Sequence, residues 1–201
     1  MSKRIALLSA VAFGALALTA SVVAPASAED KKMMKSEMSG EKTVMVGGAA
    51  MYPSKNIVQN AVNSKDHTTL VAAVKAAGLV NTLEQPGPFT VFAPVNAAFD
   101  KLPKGTVETL LKPENKAALV KVLTYHVVPG AYSAMDLRTE VKAGGGRAIL
   151  KTVQGENLTV MQVGRRLEII DAKGDRATVT IPDVNQSNGV IHVVDTVLLP
   201  K

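Results

Sequence analysis

The stretch that most constrains this chain is PFTVFAPVNAAFDKLP at 88–103, where prolines at both ends and in the middle leave the backbone few routes. Phe89-Thr90-Val91-Phe92 are strand formers with apolar side chains at both parities, which predicts a strand buried on two faces. Ala93-Pro94 stops that strand, because proline donates no ladder hydrogen bond and biases its predecessor toward extended geometry. Asn96 is the expected N-cap of a short helix over 97–102, which Pro103 closes. Three of the four phenylalanines lie here, so this block holds most of the aromatic bulk a core can use.

The N-terminal part reads differently. Lys3-Arg4, an apolar run over 5–24 and Ala26-Ser27-Ala28 have the three-part form of a secretory signal peptide, 1–28, cleaved after Ala28. Removing Lys3 and Arg4 with it takes the formal charge from +6 to +4. The basic residues are scattered rather than clustered with aromatics, which argues against nucleic acid. Residues 29–51 form a lysine- and methionine-rich stretch expected to be a disordered tail. Its thioethers at Met33, Met34 and Met38 are soft ligands that suit copper(I), although their spacing is irregular and no histidine is near. The chain has no cysteine, which removes disulfides, thiol catalysis and thiolate metal sites.

The folded domain is expected over 52–201. Ser54 is the expected cap of a helix bearing Ile57, Val58 and Ala61, and Asp66 that of a second bearing Leu70, Val71, Val74 and Ala77. Gly78 is placed to end the second helix in a left-handed turn. A third helix over 113–125 puts Leu119, Val122, Leu123 and His126 on one face, before a short strand at Val127-Val128 turned by Pro129-Gly130. Later segments are mostly strands: 158–163 and 167–170 flank a Gly164-Arg165 turn, Ala177, Val179 and Ile181 alternate, and 189–199 is almost continuously apolar. Asp183, after Pro182, is expected beyond the end of its strand and largely exposed. Helices early and strands late predict an α+β fold, with helices packed on a mostly antiparallel sheet in a wedge or sandwich.

Two further motifs follow the first block in order: LTYHVVPG at 123–130 and NGVIHVVDTVLLP at 188–200. Together the three resemble the signature boxes of the fasciclin-like domain family, adhesion modules. The resemblance implies a structural signature of Phe89, Val91, Phe92, Pro94, Asn96, Phe99, Leu102, His126, Pro129, Gly130, Asn188, Gly189 and His192. It also implies partner binding by Tyr125 and His126, and by Asp183-Val184, which stand where integrin-binding members carry an Asp-Ile pair.

Catalytic patterns are missing. No HExxH or HxH spacing marks a metal centre, and no G-x-S-x-G marks a serine nucleophile. The triple glycine at 144–146 lacks the spacing of a phosphate loop, and Asp171, Asp175 and Asp183 lack that of a calcium loop. The histidines are expected to be structural, with His126 tying a helix end to a strand start. The reading is of a non-enzymatic, exported, monomeric adhesion module without cofactor, binding a cell-surface or envelope protein or polysaccharide. The alternative is a periplasmic ligand- or copper-handling protein that uses the methionine tail.

Overall fold

The computed structural model describes residues 42–201. The expected signal peptide and Met33, Met34 and Met38 lie outside the described residues.

Among the described residues, the first elements are a hairpin of β1 (Val44–Val46) and β2 (Ala49–Met51). Helices α1 (Ile57–Ala61), α2 (Thr68–Ala77) and α3 (Val80–Leu83) follow, leading into strand β3 (Phe89–Pro94). Then come α4 (Asn96–Asp100), α5 (Thr106–Leu111), α6 (Lys116–Tyr125), β4 (Val127–Pro129) and α7 (Ala134–Ala143). The chain finishes with β5 (Arg147–Lys151), β6 (Asn157–Val163), β7 (Arg166–Ile170), β8 (Arg176–Gln186) and β9 (Gly189–Val194). This is the α+β arrangement that the order of helices and strands predicts.

Seven strands form one sheet in the order β4-β3-β9-β8-β7-β6-β5. Only β3 and β9 pair in parallel; every other neighbour is antiparallel. Strand β8 is long enough to serve both halves, pairing through Arg176–Thr178 with β7 and from Val179 onward with β9. The two ends of the sheet meet where the Val153 amide, just after β5, donates to the Val127 carbonyl of β4 (2.8 Å).

Alternation along the strands separates two cores. Phe92 and Val194 point into the first, with Leu158, Val160, Leu167 and Ile169 of the sheet and Leu137 and Val141 of α7. Val91, Ala93, Ile191 and Val193 point the other way, toward Leu70 and Val74 of α2 and Leu119 and Leu123 of α6. Both faces of β3 and β9 are therefore covered, and each buried Val, Leu, Ile or Phe contributes about 1.5–3 kcal/mol.

Several local features follow their sequence signals. Gly78 takes φ 73° and caps α2, where a left-handed turn favours a residue without Cβ. Gly164-Arg165 join β6 to β7. Others do not. The cap of α1 is Asn56, whose side chain accepts from the Gln59 amide (2.8 Å) while Gln59 Oε1 accepts from the Asn56 amide (3.0 Å). Asn96 is the first residue of its own helix and caps its neighbour instead: Oδ1 accepts from the Thr69 amide (3.0 Å) at the start of α2. Strand β9 ends at Val194, and a turn separates it from buried Val197 and Leu198. Helix α7 and strand β5 had no assignment from sequence, although Ser133 and Asp136 form a capping box.

The domain also begins earlier than Tyr52. Residues 44–51 form a hairpin rather than tail, and Val46 and Met51 are each only 3% exposed in the second core. The readable signal was Gly47-Gly48, a two-residue turn between apolar runs. Three-residue strands are too short to show periodicity around it.

A chain starting at Tyr52 should accordingly be less stable than one starting at Lys42, by about 3–6 kcal/mol for two buried side chains. Urea melts of the two chains measure this. Equal midpoints would mean the hairpin packs without contributing to the core.

Candidate functional site

Tyr125 and His126 end helix α6, where its last turn runs beneath the sheet. Tyr125 is fully buried; its hydroxyl donates to the Asn157 carbonyl (2.9 Å) and accepts from the Ala172 amide (2.9 Å). Burial pushes this phenol up to about 12. His126 is 3% exposed, and its ring joins two distant segments. Nδ1 lies 2.8 Å from the Val122 carbonyl, and Nε2 accepts from the Leu198 amide (2.9 Å). These partners assign the proton to Nδ1 and keep the ring neutral, and burial lowers its pKa to about 4. The sequence reading expected a tie from helix end to strand start. The ring in fact ties the helix to the C-terminal segment, while the His126 carbonyl serves the strand by accepting from the Phe92 amide (2.9 Å).

The Asp183-Val184 pair lies inside β8, which continues past Pro182 with register shifts on either side of Ile181. Val184 is 1% exposed and packs in the second core. Asp183 is half-buried, with φ 56°, a left-handed conformation in which aspartate is tolerated better than most residues. Its carboxylate accepts from the Ala134 amide (2.6 Å) at the first turn of α7, where the helix dipole favours negative charge. The expectation of a largely exposed Asp183 is corrected by this bond. The side chains of Tyr125, His126 and Val184 are likewise buried rather than on the surface.

Most of the remaining signature residues are also engaged inward. His192 Nε2 lies 2.8 Å from the Tyr132 carbonyl, its Nδ1 accepts from the Asp183 amide (3.3 Å), and the ring stacks on Phe92 at 5.8 Å. Burial is the main cause lowering its pKa. Asn188 donates to the Leu83 and Gln85 carbonyls (2.7 and 3.1 Å) and accepts from the Ile57 amide (3.0 Å). Phe89, Phe99 and Leu102 are half-buried, Pro94 is buried, Pro129 is exposed, and Gly130 is gripped by Thr90, whose hydroxyl donates to its carbonyl (2.7 Å). Thr90 and Asp171 are bracing residues that sequence reasoning missed. The Asp171 carboxylate accepts from the Lys173, Asp175 and Leu199 amides, all at 2.9 Å, so it closes a turn.

Among the described residues no group of three His, Asp or Glu side chains is placed to hold a metal ion. Ser64 and His67 do pair (Oγ to Nδ1, 2.9 Å), but no carboxylate bonds Nε2, so the pair lacks the third member of a hydrolytic triad.

The surface offers something the motifs do not. Arg138 of α7, Arg165 of the β6–β7 turn and Arg166 at the start of β7 line one shallow groove with Thr178, Thr180 and Pro182. Arg138 Nη2 donates to the Arg165 carbonyl (3.3 Å), which fixes α7 against the turn. Among the described residues none of the three guanidinium groups is ion-paired, and the groove's one carboxylate, Asp195, pairs with Lys101 (3.7 Å). Sequence reasoning could not find this groove without α7.

Two stability outcomes follow. His126 titrates lower in the folded than in the unfolded chain, so its contribution is complete above about pH 6.5 and lost as pH falls toward 4. Urea melts should show about 3 kcal/mol lost through this group over that window, and a shallower loss in His126→Gln. Identical slopes would mean the ring is not buried neutral. Asp183→Ala should cost about 1–2 kcal/mol at neutral pH, more than an ordinary surface change, because it removes a helix-start acceptor at a left-handed position. A cost below about 0.5 kcal/mol would return it to the exposed class.

The fasciclin domain model matches residues 65–200, more than half of the chain. The Synechocystis protein sll1483 is 48% identical over 161 residues, covering 80% of this chain and 82% of its own. The cell surface glycolipoprotein MPB83 of Mycobacterium bovis is 34% identical over 160 residues, 77% of this chain and 64% of its own. Among solved structures, the FAS1 domain pair of the insect cell adhesion molecule fasciclin I superposes with TM-score 0.67 at 22% identity, covering 74% of this chain and 52% of that one. The match spans every strand of the large sheet and all three signature motifs, and this chain belongs to the fasciclin domain family.

Proposed function

We propose that this protein is an exported, non-enzymatic attachment module that holds an acidic polysaccharide of a cell surface or envelope in the Arg138, Arg165 and Arg166 groove. The observation that carries this reading is three guanidinium groups lining one groove without carboxylate partners, on a face that the two cores do not need. Guanidinium forks suit carboxylate and sulfate groups, and Thr178 and Thr180 add hydroxyl-bearing side chains to the groove. The reading is supported by membership of a family with adhesion and surface proteins, and by the leader at 1–28. Among the described residues no helix is long and apolar enough to cross a membrane.

Heparin, as an acidic polysaccharide probe, should retain the parent protein, with affinity falling as salt rises. Arg165→Glu with Arg166→Glu should weaken binding about tenfold or more. Lys104→Glu with Lys112→Glu, an equal charge change on exposed residues outside the groove, should do far less. Equal losses in both pairs would reduce the groove to general charge attraction and overturn the assignment.

A further inference from the structure

The second core is not completely filled by side chains. Between α1, α2 and the β3–β9 pair lies a cavity of about 120 Å³. Buried Val46, Met51, Leu70, Val74, Ile191 and Val193 form its inner walls. Ser64, His67, Thr124 and His126 also line it, but their polar atoms are engaged with the protein. Ser64 Oγ and His67 Nδ1 are 2.9 Å apart, and His67 Nε2 is covered, with the Ala93 carbonyl as its neighbour. The Thr124 hydroxyl donates to the Val120 carbonyl (2.7 Å), and His126 holds the Val122 carbonyl and the Leu198 amide. The inner walls therefore present hydrocarbon.

The rim is different. Three lining residues are exposed: Lys75 of α2, Thr82 of α3 and Val153 just after β5. They mark where the cavity reaches solvent. Lys75 carries the one charge of the lining, which includes no Asp, Glu or Arg. Burial keeps His67 and His126 neutral by lowering both pKa values, that of His126 to about 4. Among the described residues the Lys75 ammonium has no ion pair. Hydrocarbon within and an unpaired cation at the entrance make the site amphipathic.

We propose that this cavity binds a short, single-chain carboxylate, with its alkyl tail against the inner walls and its carboxylate at the rim beside Lys75. The volume sets the tail length. An apolar cavity of about 150 Å³ in another protein holds benzene, so about 120 Å³ holds a chain of roughly five carbons. The carboxylate stays in water, because burying it among these walls would cost its hydration. A neutral alkane would leave the ammonium unused, and an alkyl cation would be repelled by it. This site is separate from the arginine groove, which shares no lining residue with it, and the inference does not rest on the polysaccharide reading.

The test titrates the full chain at neutral pH with straight-chain carboxylates, followed in carbon-13 methyl spectra. Each methylene moved from water into the cavity should tighten binding about fourfold, so hexanoate should bind about fifteenfold more tightly than butanoate. Octanoate should gain nothing further, because a longer tail must push into packed side chains. The methyl signals of Leu70, Val74 and Ile191 should move with hexanoate. Hexylammonium, the same chain with the opposite charge, should bind about threefold or more weakly than hexanoate. Lys75→Glu, at an exposed position, should invert that preference, whereas Arg165→Glu with Arg166→Glu should leave hexanoate binding unchanged. If the Lys75 variant does not fold, the comparison of hexanoate with hexylammonium in the parent decides the role of charge. Core methyls that stay still at millimolar hexanoate, affinity that keeps climbing at octanoate, or equal affinity for hexanoate and hexylammonium would each overturn the proposal.

Discussion

The parallel pairing of β3 with β9 is the constraint on which the rest of the fold depends. Phe89 lies opposite Gly189, 100 residues later in the chain, and five more pairs follow in register to Pro94 and Val194. Each strand is covered on both faces, so the pair forms the shared wall of two cores. The approach at its start is close enough that a Cβ at position 189 would lie 2.0 Å from the Phe89 carbonyl oxygen. Only glycine fits there. The price of joining segments so far apart is loop-closure entropy, and the contacts formed afterwards must offset it. Asn188, immediately before β9, makes three hydrogen bonds to the α1 start and the segment after α3. His126 adds a fourth tie, from α6 to the segment beyond β9.

The residues that resemble the family's binding motif are built into this framework. Tyr125, His126, His192 and Asn188 each satisfy backbone groups from elements distant in sequence, and each does so in a buried setting. Without them those N–H and C=O groups would be left unpaired inside a low-dielectric core. Their side chains are held by structure. The proposed arginine groove instead presents Arg138, Arg165 and Arg166, which belong to neither core. Its position still depends on the cores, because α7 reaches the β6–β7 turn only when Leu137 and Val141 are seated in the first core.

What was legible in the sequence was local. The β3 strand could be read from Phe89-Thr90-Val91-Phe92, the cap at Gly78 from one glycine after an apolar face, and the Gly164-Arg165 turn from its flanking strands. The features that escaped depend on partners far along the chain. Asn96 looks like a cap for its own helix, but its oxygen meets the start of α2, 27 residues earlier. Asp183 follows a proline and reads as a strand end, but a bulge carries β8 onward and aims the carboxylate at Ala134, 49 residues away. The arginine groove depends on the same kind of long-range contact, Arg138 to Arg165. Fold class could be inferred from the order of elements, whereas the surface required the packing.

Native-state hydrogen exchange tests the central place of the β3–β9 pair most directly. If that pair is the shared wall of both cores, the hydrogen-bonded amides of β3 and β9, including Phe92, should exchange only through global unfolding. Their opening free energies should equal the stability measured by urea, with α7 and β5 opening at lower free energy. Exchange of the β3 and β9 amides through a cheaper local opening, while α7 and the β5–β7 strands stay protected, would contradict the account.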